Sequence, residues 1–182
     1  MFGFPFGILG NTDLSKHLSR RVRELLQAID TLVIDEVSMV NADLMDAISR
    51  AMGIARGRRK LPFGGAQIVM FGDPYQLSPV PGDAEERAYM AENYQSSWFF
   101  DAHVWREDSL ERYELSEIFR QHDEDFKFIL NAIRVGEVTQ EMLDQINSAG
   151  NRFPPHDDVI RLATINETVN LVNRTRMAKL NG

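Results

Sequence analysis

The segment 31–37, TLVIDEV, is an apolar run that ends at two adjacent carboxylates, Asp35 and Glu36. A strand buried in a parallel sheet is a nearly continuous run of Leu, Val and Ile. Ligands of open α/β sheets bind at the carboxyl ends of such strands. The segment therefore predicts a buried parallel strand that brings both acids to an edge of the sheet where a nucleotide could bind.

Two neighbouring acids at such an edge can share the chemistry of phosphate hydrolysis. One can hold Mg²⁺, usually through water because this ion dehydrates reluctantly, and the other can orient the water that attacks a phosphate. A plainer alternative stays open at this point. The pair could be solvated turn residues, or acids at the start of a helix, where the helix dipole favours negative charge.

A second strand followed by a polar loop supports the catalytic interpretation. The segment 67–71, QIVMF, is followed by 72–80, GDPYQLSPV. Gly72 is expected to let the chain leave the sheet with unusual dihedral angles, and Gln76 is an uncharged donor and acceptor that could orient water or contact a terminal phosphate. The alternative is an ordinary Gly/Pro turn. Two buried strands that each end in an acid-bearing loop, the second with Asp73, predict one shared cleft.

The fold class that this order of elements predicts is α/β. Helical periodicity predicts a helix over 13–28, and another after the acidic pair that is capped by Asn41 or Asp43. The buried face of that second helix is expected to carry Leu44, Ile48 and Met52. Strand, helix and strand in this order favour a parallel βαβ unit with a right-handed crossover.

The rest of the chain predicts further elements around this unit. Residues 82–93 are polar and acidic and predict a surface loop, and Asp123 and Gly136 predict the two ends of a helix. Aromatic residues over 98–105 have the spacing of a packed core, although bases also stack on aromatics in proteins that bind single strands. Strands are expected at 112–115 and 159–164, and helices at 139–146 and 167–180.

The segment 56–60, RGRRK, is the densest positive run of the chain and could contact a phosphate backbone. The alternative is a solvated basic loop between a helix and a strand. The net charge of −7 argues against a protein that coats nucleic acid through general positive charge, but it leaves room for a local basic groove.

The absence of cysteine among the 182 residues excludes disulfides, thiolate metal sites and cysteine nucleophiles within this sequence. The four histidines show no metal-ligand spacing. No apolar stretch approaches the roughly 20 residues that cross a bilayer. We therefore expect no membrane association and an intracellular, cytoplasmic protein, without distinguishing a bacterial cytoplasm from a nucleus or a mitochondrion.

Three motifs in a fixed order connect these observations: LVIDEVSMV, PFGGAQIVMFGDPYQLSPV, and ELSEIFRQ with FKFILNAIRVG behind it. Together they resemble successive motifs of superfamily 1 DNA helicases, in the five-prime to three-prime branch of the RecD and Pif-one type enzymes, with the latter nearer. The resemblance covers 31–136 and continues more weakly to the end. It implies a partial RecA-like parallel sheet flanked by helices, with 1–112 as part of a first RecA-like ATPase lobe and 113–182 as the start of a second.

The resemblance also assigns a role to each candidate residue. It implies that Asp35 positions magnesium as the Walker B acid and that Glu36 is the base that activates water. Gln76 would contact the terminal phosphate of ATP, and Asp73 would belong to the same nucleotide-binding loop. Arg120 would reach across from the second lobe to stabilise charge in the transition state, as a planar guanidinium fork suits.

The resemblance further implies ATP and Mg²⁺ as cofactors, and single-stranded and duplex DNA as partners. The segment 2–5, FGFP, is similar to the tail of an early DNA-contacting motif of the family. With the basic run, it supplies the candidate DNA contacts Phe2, Pro5, Arg58 and Arg59. For Arg120, an ordinary ion pair with Glu114 or Glu117 stays open as the alternative.

The sequence departs from the family pattern in one serious way. No Gly-x-x-x-x-Gly-Lys-Ser/Thr loop occurs in it, and Ser78 stands where the third motif more usually has proline. We therefore expect an internal fragment of a longer helicase that alone hydrolyses ATP negligibly and could self-associate through exposed sheet edges. One alternative is a degenerate ATPase-like module that binds DNA or protein. Another is a metal-dependent nuclease with Asp35, Glu36 and Asp73 as ligands.

Overall fold

A computed structural model of the chain describes residues 2–105, 110–151, 160 and 162–180. These residues fall into two compact units, 1–127 and 128–182. The first unit contains helices α1 (Arg20–Ala28), α2 (Ala42–Ala55) and α3 (Ala84–Asn93), strands β1 (Thr31–Ile34) and β2 (Gln67–Met70), and short 3-10 turns at Leu14–Lys16, Val37–Met39, Pro62–Gly65 and Phe99–Asp101. The second unit takes most of α4 (Glu124–Val135), followed by α5 (Gln140–Asn151) and α6 (Asn166–Met177).

The two strands form a parallel pair whose register runs from Thr31 opposite Gln67 to Ile34 opposite Met70. Helix α2 lies between them in the chain, so the predicted parallel strand, helix and strand unit is present. The predicted burial of β1 is confirmed on one face of the strand and is wrong for the other face among the described residues. Leu32 is buried, but Val33 on the opposite face is 57% exposed, because only one face of the pair packs on the core.

Helix α2 is the centre of the core of the first unit. Asn41 caps it as predicted, since the Asn41 side chain accepts a hydrogen bond of 2.7 Å from the Leu44 amide. Ile48 and Met52 are buried as expected, whereas Leu44 is only partly buried. Burial extends almost around the helix, as is typical of a central helix rather than a surface one. The buried residues are Ala42, Asp43, Met45, Ala47, Ile48, Ser49, Ala51, Met52, Gly53 and Ala55.

One predicted helix begins later than expected, and one predicted loop is a helix. Side-chain capping explains both differences. The helix expected over 13–28 begins only at Arg20, because the Ser19 side chain caps it by accepting from the Val22 amide at 3.3 Å. The surface loop expected over 82–93 is instead helix α3. Its start is a reciprocal capping box, in which Asp83 and Glu86 each accept a hydrogen bond from the other residue's amide.

The strand expected at 112–115 is absent, since described residues 110–123 have no regular structure. Leu115 in this segment is 87% exposed, so the apolar pattern has no surface to pack on among the described residues. The strand expected at 159–164 lies partly outside the described residues, and its described positions form no strand. Among the described residues, no helix is long and apolar enough to pass through a bilayer.

Helix α4 has the two ends that the sequence predicts. The Asp123 side chain accepts from the Phe126 amide at 3.0 Å, and Gly136 adopts a positive φ of 78° just after the last turn. Helices α5 and α6 are also present, with bounds that differ by a few residues from the expected ones. In the first unit, Trp105 packs on Phe63 with ring centroids 5.2 Å apart, which confirms a core role for this part of the aromatic cluster.

Candidate functional site

The carboxyl ends of β1 and β2 are joined by two backbone hydrogen bonds. The Phe71 amide donates to the Ile34 carbonyl at 2.9 Å, and the Val37 amide donates to the Phe71 carbonyl at 2.9 Å. Asp35 and Glu36 therefore lie in a turn held directly against the start of the loop 72–80. The structure brings together the two polar loops that the sequence places at one edge of the sheet.

Glu36 has an unusual backbone. Its φ of 51° and ψ of 42° lie in the left-handed region, which costs a residue with a side chain about 1–2 kcal/mol. The Asp35 Oδ1 atom accepts from the Glu36 amide at 3.0 Å and supports this turn. Both side chains are exposed. An exposed acid held in a strained conformation at a strand end is typical of a functional position.

The loop that carries Gln76 is organised by Asp73. The Asp73 carboxylate accepts from the Tyr75 amide at 3.0 Å and from the Gln76 side-chain Nε2 at 3.1 Å. The Gln76 amide also donates to the Asp73 carbonyl at 3.0 Å. Gln76 is exposed and Asp73 is partly buried, so the described contacts of Asp73 serve to orient Gln76.

Gly72 is required for the close approach of the two loops. A Cβ atom on Gly72 would lie 3.0 Å from both the amide nitrogen and Cγ1 of Val37, and 3.1 Å from the Ser38 amide nitrogen. Its φ is not positive, so the expected use of unusual dihedral angles is wrong. The reason for glycine at this position is space rather than backbone conformation.

We expect Gly72→Ala to destabilise the chain by about 1–3 kcal/mol, because the added methyl group must push the two loops apart. Urea denaturation of the 182-residue chain measures the loss, and two-dimensional amide NMR locates it at Val37 and Ser38. Gly57→Ala is the matched control. Gly57 has open space around it but a φ of 67°, so it should cost about 1–2 kcal/mol without moving the Val37 and Ser38 signals. A Gly72→Ala chain with wild-type stability and unshifted signals would contradict the contact.

Arg120 lies in the irregular segment 110–123 and is exposed. Among the described residues, its side chain makes no ion pair, so the alternative pairing with Glu114 or Glu117 is not formed. Nor does any hydrogen bond within the described part of the chain join it to Asp35, Glu36 or Gln76. Its transition-state role stays a prediction.

The basic run divides into a structural and an exposed part. Arg56 donates to the carbonyls of Leu26 at 2.9 Å, Ile29 at 2.6 Å and Gly64 at 3.0 Å, so it ties the end of α1 to the turn before β2. Arg58 and Arg59 are exposed and remain candidates for phosphate contact.

The two candidate DNA contacts in the N-terminal segment, Phe2 and Pro5, differ in their exposure. Phe2 is partly buried, stacks on Phe4 with ring centroids 5.1 Å apart, and packs against the core. Pro5 and the neighbouring Phe6 are exposed. Of the predicted DNA contacts in this segment, Pro5 is therefore the more accessible and Phe2 has only part of its ring free.

Helix α2 also has a polar face whose partners the sequence pattern does not indicate. Asp46 accepts hydrogen bonds from the His103 and Val104 amides at 3.1 and 2.8 Å, and from the Tyr94 hydroxyl at 3.1 Å. Burial, followed by the charges of Asp46 and Asp43, raises the pKa of Tyr94 well above its usual value, so the phenol stays a neutral donor. Polar residues three or four positions apart on a helix have the pattern of a face exposed to water. Sequence periodicity therefore cannot distinguish such an exposed face from one whose polar groups bond to other parts of the protein.

The same face of α2 holds the N-terminal segment. The Asp43 carboxylate accepts from the Leu9 amide at 2.6 Å, and Arg50 donates to the Leu9 carbonyl at 2.7 Å and to the Gly10 carbonyl. Asp43 is only 4% exposed. A buried carboxylate is stable only when it is hydrogen-bonded, and these contacts meet that requirement.

The acids at the strand ends do not form a compact metal cage. Within the described part of the chain, no three His, Cys, Asp or Glu side chains are grouped to hold a metal ion. Asp35, Glu36 and Asp73 are all described, so they do not supply the three-acid site that a metal-dependent nuclease needs. A single exposed carboxylate, Asp35, suits a magnesium ion that keeps most of its water shell.

Comparison with known proteins assigns the family. A family model described as "PIF1-like helicase" matches residues 1–144, which is most of the chain. The chain belongs to the PIF1-like helicase family. The matched range contains all three sequence motifs, so the resemblance to Pif-one type helicases is confirmed.

Relatives in the PIF1-like helicase family match this chain over part of their length. The ATP-dependent DNA helicase PIF1 of Danio rerio is 35% identical over 155 residues, which are 83% of this chain and 22% of the relative. The protein of the same name from Saccharomyces cerevisiae is 34% identical over 95% of this chain and 20% of its own length. The chain thus spans about a fifth of these curated relatives.

Solved structures of PIF1-like helicases show the fold. A Pif1 helicase from Bacteroides in complex with ADP-AlF3 and ssDNA superimposes with a TM-score of 0.88 at 34% identity, over 100% of this chain and 43% of that one. A structure of two coordinating Pif1 helicases at forked dsDNA gives a TM-score of 0.86 at 36% identity and covers 96% of this chain and 42% of that one. The chain has a RecA-like α/β fold, as predicted.

Proposed function

We propose that this chain is part of an ATP-dependent DNA helicase that couples ATP hydrolysis to five-prime to three-prime movement on single-stranded DNA and to duplex unwinding. The observation that carries the proposal is the hydrogen-bonded junction of the β1 and β2 ends, which sets Asp35 and Glu36 against the loop of Gln76. Family membership supports the reaction, since the named relatives are ATP-dependent DNA helicases.

The proposed nucleotide chemistry uses the residues at this junction. Asp35 would hold a hydrated magnesium ion, which would neutralise charge on the phosphates of ATP when bound. Glu36, which lies in the left-handed turn after β1, accepts the proton of the attacking water. Gln76 contacts the terminal phosphate, and Asp73 keeps the Gln76 amide in place through their 3.1 Å hydrogen bond. The complex of a relative with ADP-AlF3 supports nucleotide use in the family.

Arg120 is the proposed source of positive charge in the transition state. A guanidinium group can bridge two phosphate oxygens with a fixed planar geometry, which suits this role. The exposure of Arg120, with no ion pair in the described part of the chain, supports its availability. We assign 1–112 to the first ATPase lobe and 113–182 to the start of the second, so Arg120 would act from the second lobe.

The proposed DNA contacts are Pro5, Phe2, Arg58 and Arg59. Exposed arginines neutralise backbone phosphates, and an exposed ring can stack on or against a base. Related structures are described with ssDNA and with forked dsDNA, which supports DNA of both kinds as the partner. Opening and closing of the two lobes with each ATP would advance the protein along the strand.

The test is ATP hydrolysis and strand separation by the full-length protein. We expect hydrolysis that depends on magnesium and rises with single-stranded DNA, and unwinding of a duplex with a five-prime tail but not one with a three-prime tail. The 182-residue chain alone should hydrolyse ATP negligibly, because it has no phosphate-binding loop. DNA-stimulated hydrolysis by this chain, or its absence from the full-length protein, would contradict the proposal.

The missing phosphate-binding loop favours one second candidate, a degenerate ATPase-like module that binds DNA or protein without nucleotide. The same measurements separate the two functions. A full-length protein that binds DNA but neither hydrolyses ATP nor unwinds a tailed duplex would support the degenerate module.

A further inference from the structure

Three backbone groups of Leu9 and Gly10 are bonded to two side chains of α2. The Asp43 carboxylate accepts a hydrogen bond from the Leu9 amide, and the Arg50 guanidinium group donates to the carbonyls of Leu9 and Gly10. These contacts cross 34 to 41 positions of sequence, so they are tertiary rather than local. They attach the end of the N-terminal segment 2–10 to the central helix of the unit.

Little else fixes the backbone of this segment. Residues 2–8 have no helix or strand, and Gly3 and Gly7 both have a positive φ. The nearest local bonds are those of Thr12 to the Leu9 and Ile8 carbonyls. Leu9 itself is 3% exposed and packs in the core, so it anchors the segment at its end. Phe2 and Phe4 add ring contacts to the core, and the bonds of Asp43 and Arg50 set the orientation of the Leu9 and Gly10 peptides to which residues 2–8 are attached.

We propose that Asp43 and Arg50 are positioning residues for DNA binding, which hold the segment 2–10 on α2 in the geometry in which Phe2 and Pro5 meet single-stranded DNA. The inference rests on the proposed function, because it takes the DNA contact of this segment from there. Both side chains suit this role, because a carboxylate accepts from an amide and a guanidinium fork can hold two carbonyls at once.

A direct contact between Arg50 and DNA phosphate is the competing explanation, and the geometry disfavours it. The two Nη atoms of Arg50 are engaged by carbonyls, and its Nε atom is buried. Of its five N–H donors, two are taken by these carbonyls and one, on Nε, is buried. We therefore expect Arg50 to affect DNA binding by positioning the segment 2–10 rather than by the positive charge of its own side chain.

Arg56 offers a matched control at the end of the same helix. It also uses its guanidinium group to hold backbone carbonyls, those of Leu26, Ile29 and Gly64, but none of these lies in the segment 2–10. Arg56→Met and Arg50→Met both remove one positive charge, and they remove three and two partly buried hydrogen bonds to carbonyls, respectively. If Arg50 only stabilised the fold, Arg50→Met would change DNA affinity no more than Arg56→Met does.

The experiment compares Arg50→Met, Arg50→Lys and Arg56→Met in the full-length protein. Fluorescence anisotropy with labelled oligothymidylate gives the DNA affinity, and hydrogen–deuterium exchange gives the protection of residues 2–10. We expect Arg50→Met to increase exchange in this segment and to weaken DNA binding about tenfold, the equivalent of one lost hydrogen-bonded contact. Arg56→Met should leave both values within about twofold of wild type, even where its melting temperature falls as much.

Arg50→Lys keeps the charge but loses the planar fork, so we expect it to bind DNA at least about fivefold more weakly than wild type. Wild-type affinity in Arg50→Lys, or equal losses in Arg50→Met and Arg56→Met, would overturn the positioning role. Faster exchange in Arg50→Met with unchanged DNA affinity would also overturn it, while leaving the proposed helicase function intact. Failure of the wild-type protein to bind oligothymidylate would instead refute the proposed function, and the inference with it.

Discussion

Under the proposed function, Glu36→Gln will lower DNA-stimulated ATP hydrolysis by the full-length protein by about 10²- to 10⁴-fold, the usual contribution of a positioned general base. The amide has the shape of the carboxylate but cannot accept the proton of the attacking water. Steady-state hydrolysis at saturating DNA measures the loss. Binding of a fluorescent ATP analogue should be unchanged, because the role proposed for Glu36 is on water rather than on the nucleotide.

Glu24→Gln is the control for this substitution. Glu24 is exposed on α1 and pairs with the surface residue Arg20 at 2.8 Å, so the same chemical change should leave hydrolysis within about twofold of wild type. A Glu36→Gln enzyme that retained wild-type turnover would remove Glu36 from the mechanism and favour Asp35 or water itself as the proton acceptor.

Arg120→Ala will lower the kcat of DNA-stimulated hydrolysis by about 10³-fold, at the lower end of the range for an arginine that stabilises phosphoryl transfer. The loss should appear in kcat more than in KM, because the charge that Arg120 is proposed to neutralise develops in the transition state. Arg120→Lys should recover only part of the rate, since an ammonium group cannot bridge two oxygens with the same geometry.

Arg112→Ala provides the comparison within the same irregular segment. Arg112 is exposed like Arg120 and lies outside the residues proposed for chemistry, so its loss should change kcat by less than about twofold. Equal rates for the Arg120→Ala and Arg112→Ala enzymes would exclude Arg120 as the transition-state residue. Equal and large losses would show that the segment acts as a whole rather than through one guanidinium group.

The parallel strand, helix and strand unit could be predicted from sequence because its signals are local. The apolar runs at 31–34 and 67–70 become β1 and β2, and Asn41 caps α2 where the sequence indicates. Gly136 closes α4 for the same reason, since a positive φ favours glycine. Each of these features depends on residues within a few positions of one another.

The errors arose where distant contacts or capping side chains decide the structure. Helix α3 has no clear apolar stripe, and its start depends on the reciprocal bonds of Asp83 and Glu86. The apolar residues around Leu115 have the pattern of a strand, but a strand also needs a neighbour to pair with, and the sequence pattern contains no information on that. The exposure of Val33 likewise depends on what covers the sheet rather than on β1 itself.

The candidate site also has features that the sequence predicts and features that it does not. The order of strands and acids predicted that two loops meet at one edge, and the hydrogen bonds at Phe71 confirm that they do. The space requirement at Gly72 and the role of Asp43 and Arg50 could not be predicted, because each results from packing between segments far apart in sequence. The left-handed turn at Glu36 is the backbone conformation of a single residue, which a pattern of apolar residues does not indicate.

The left-handed backbone of Glu36 sets the stability of the fold against the catalytic role proposed for its side chain. Glycine would occupy that turn without steric cost, so it would make the fold more heat-resistant while deleting the side chain proposed for catalysis. Laboratory evolution that screens only for thermal tolerance would drift toward an inert variant at this position.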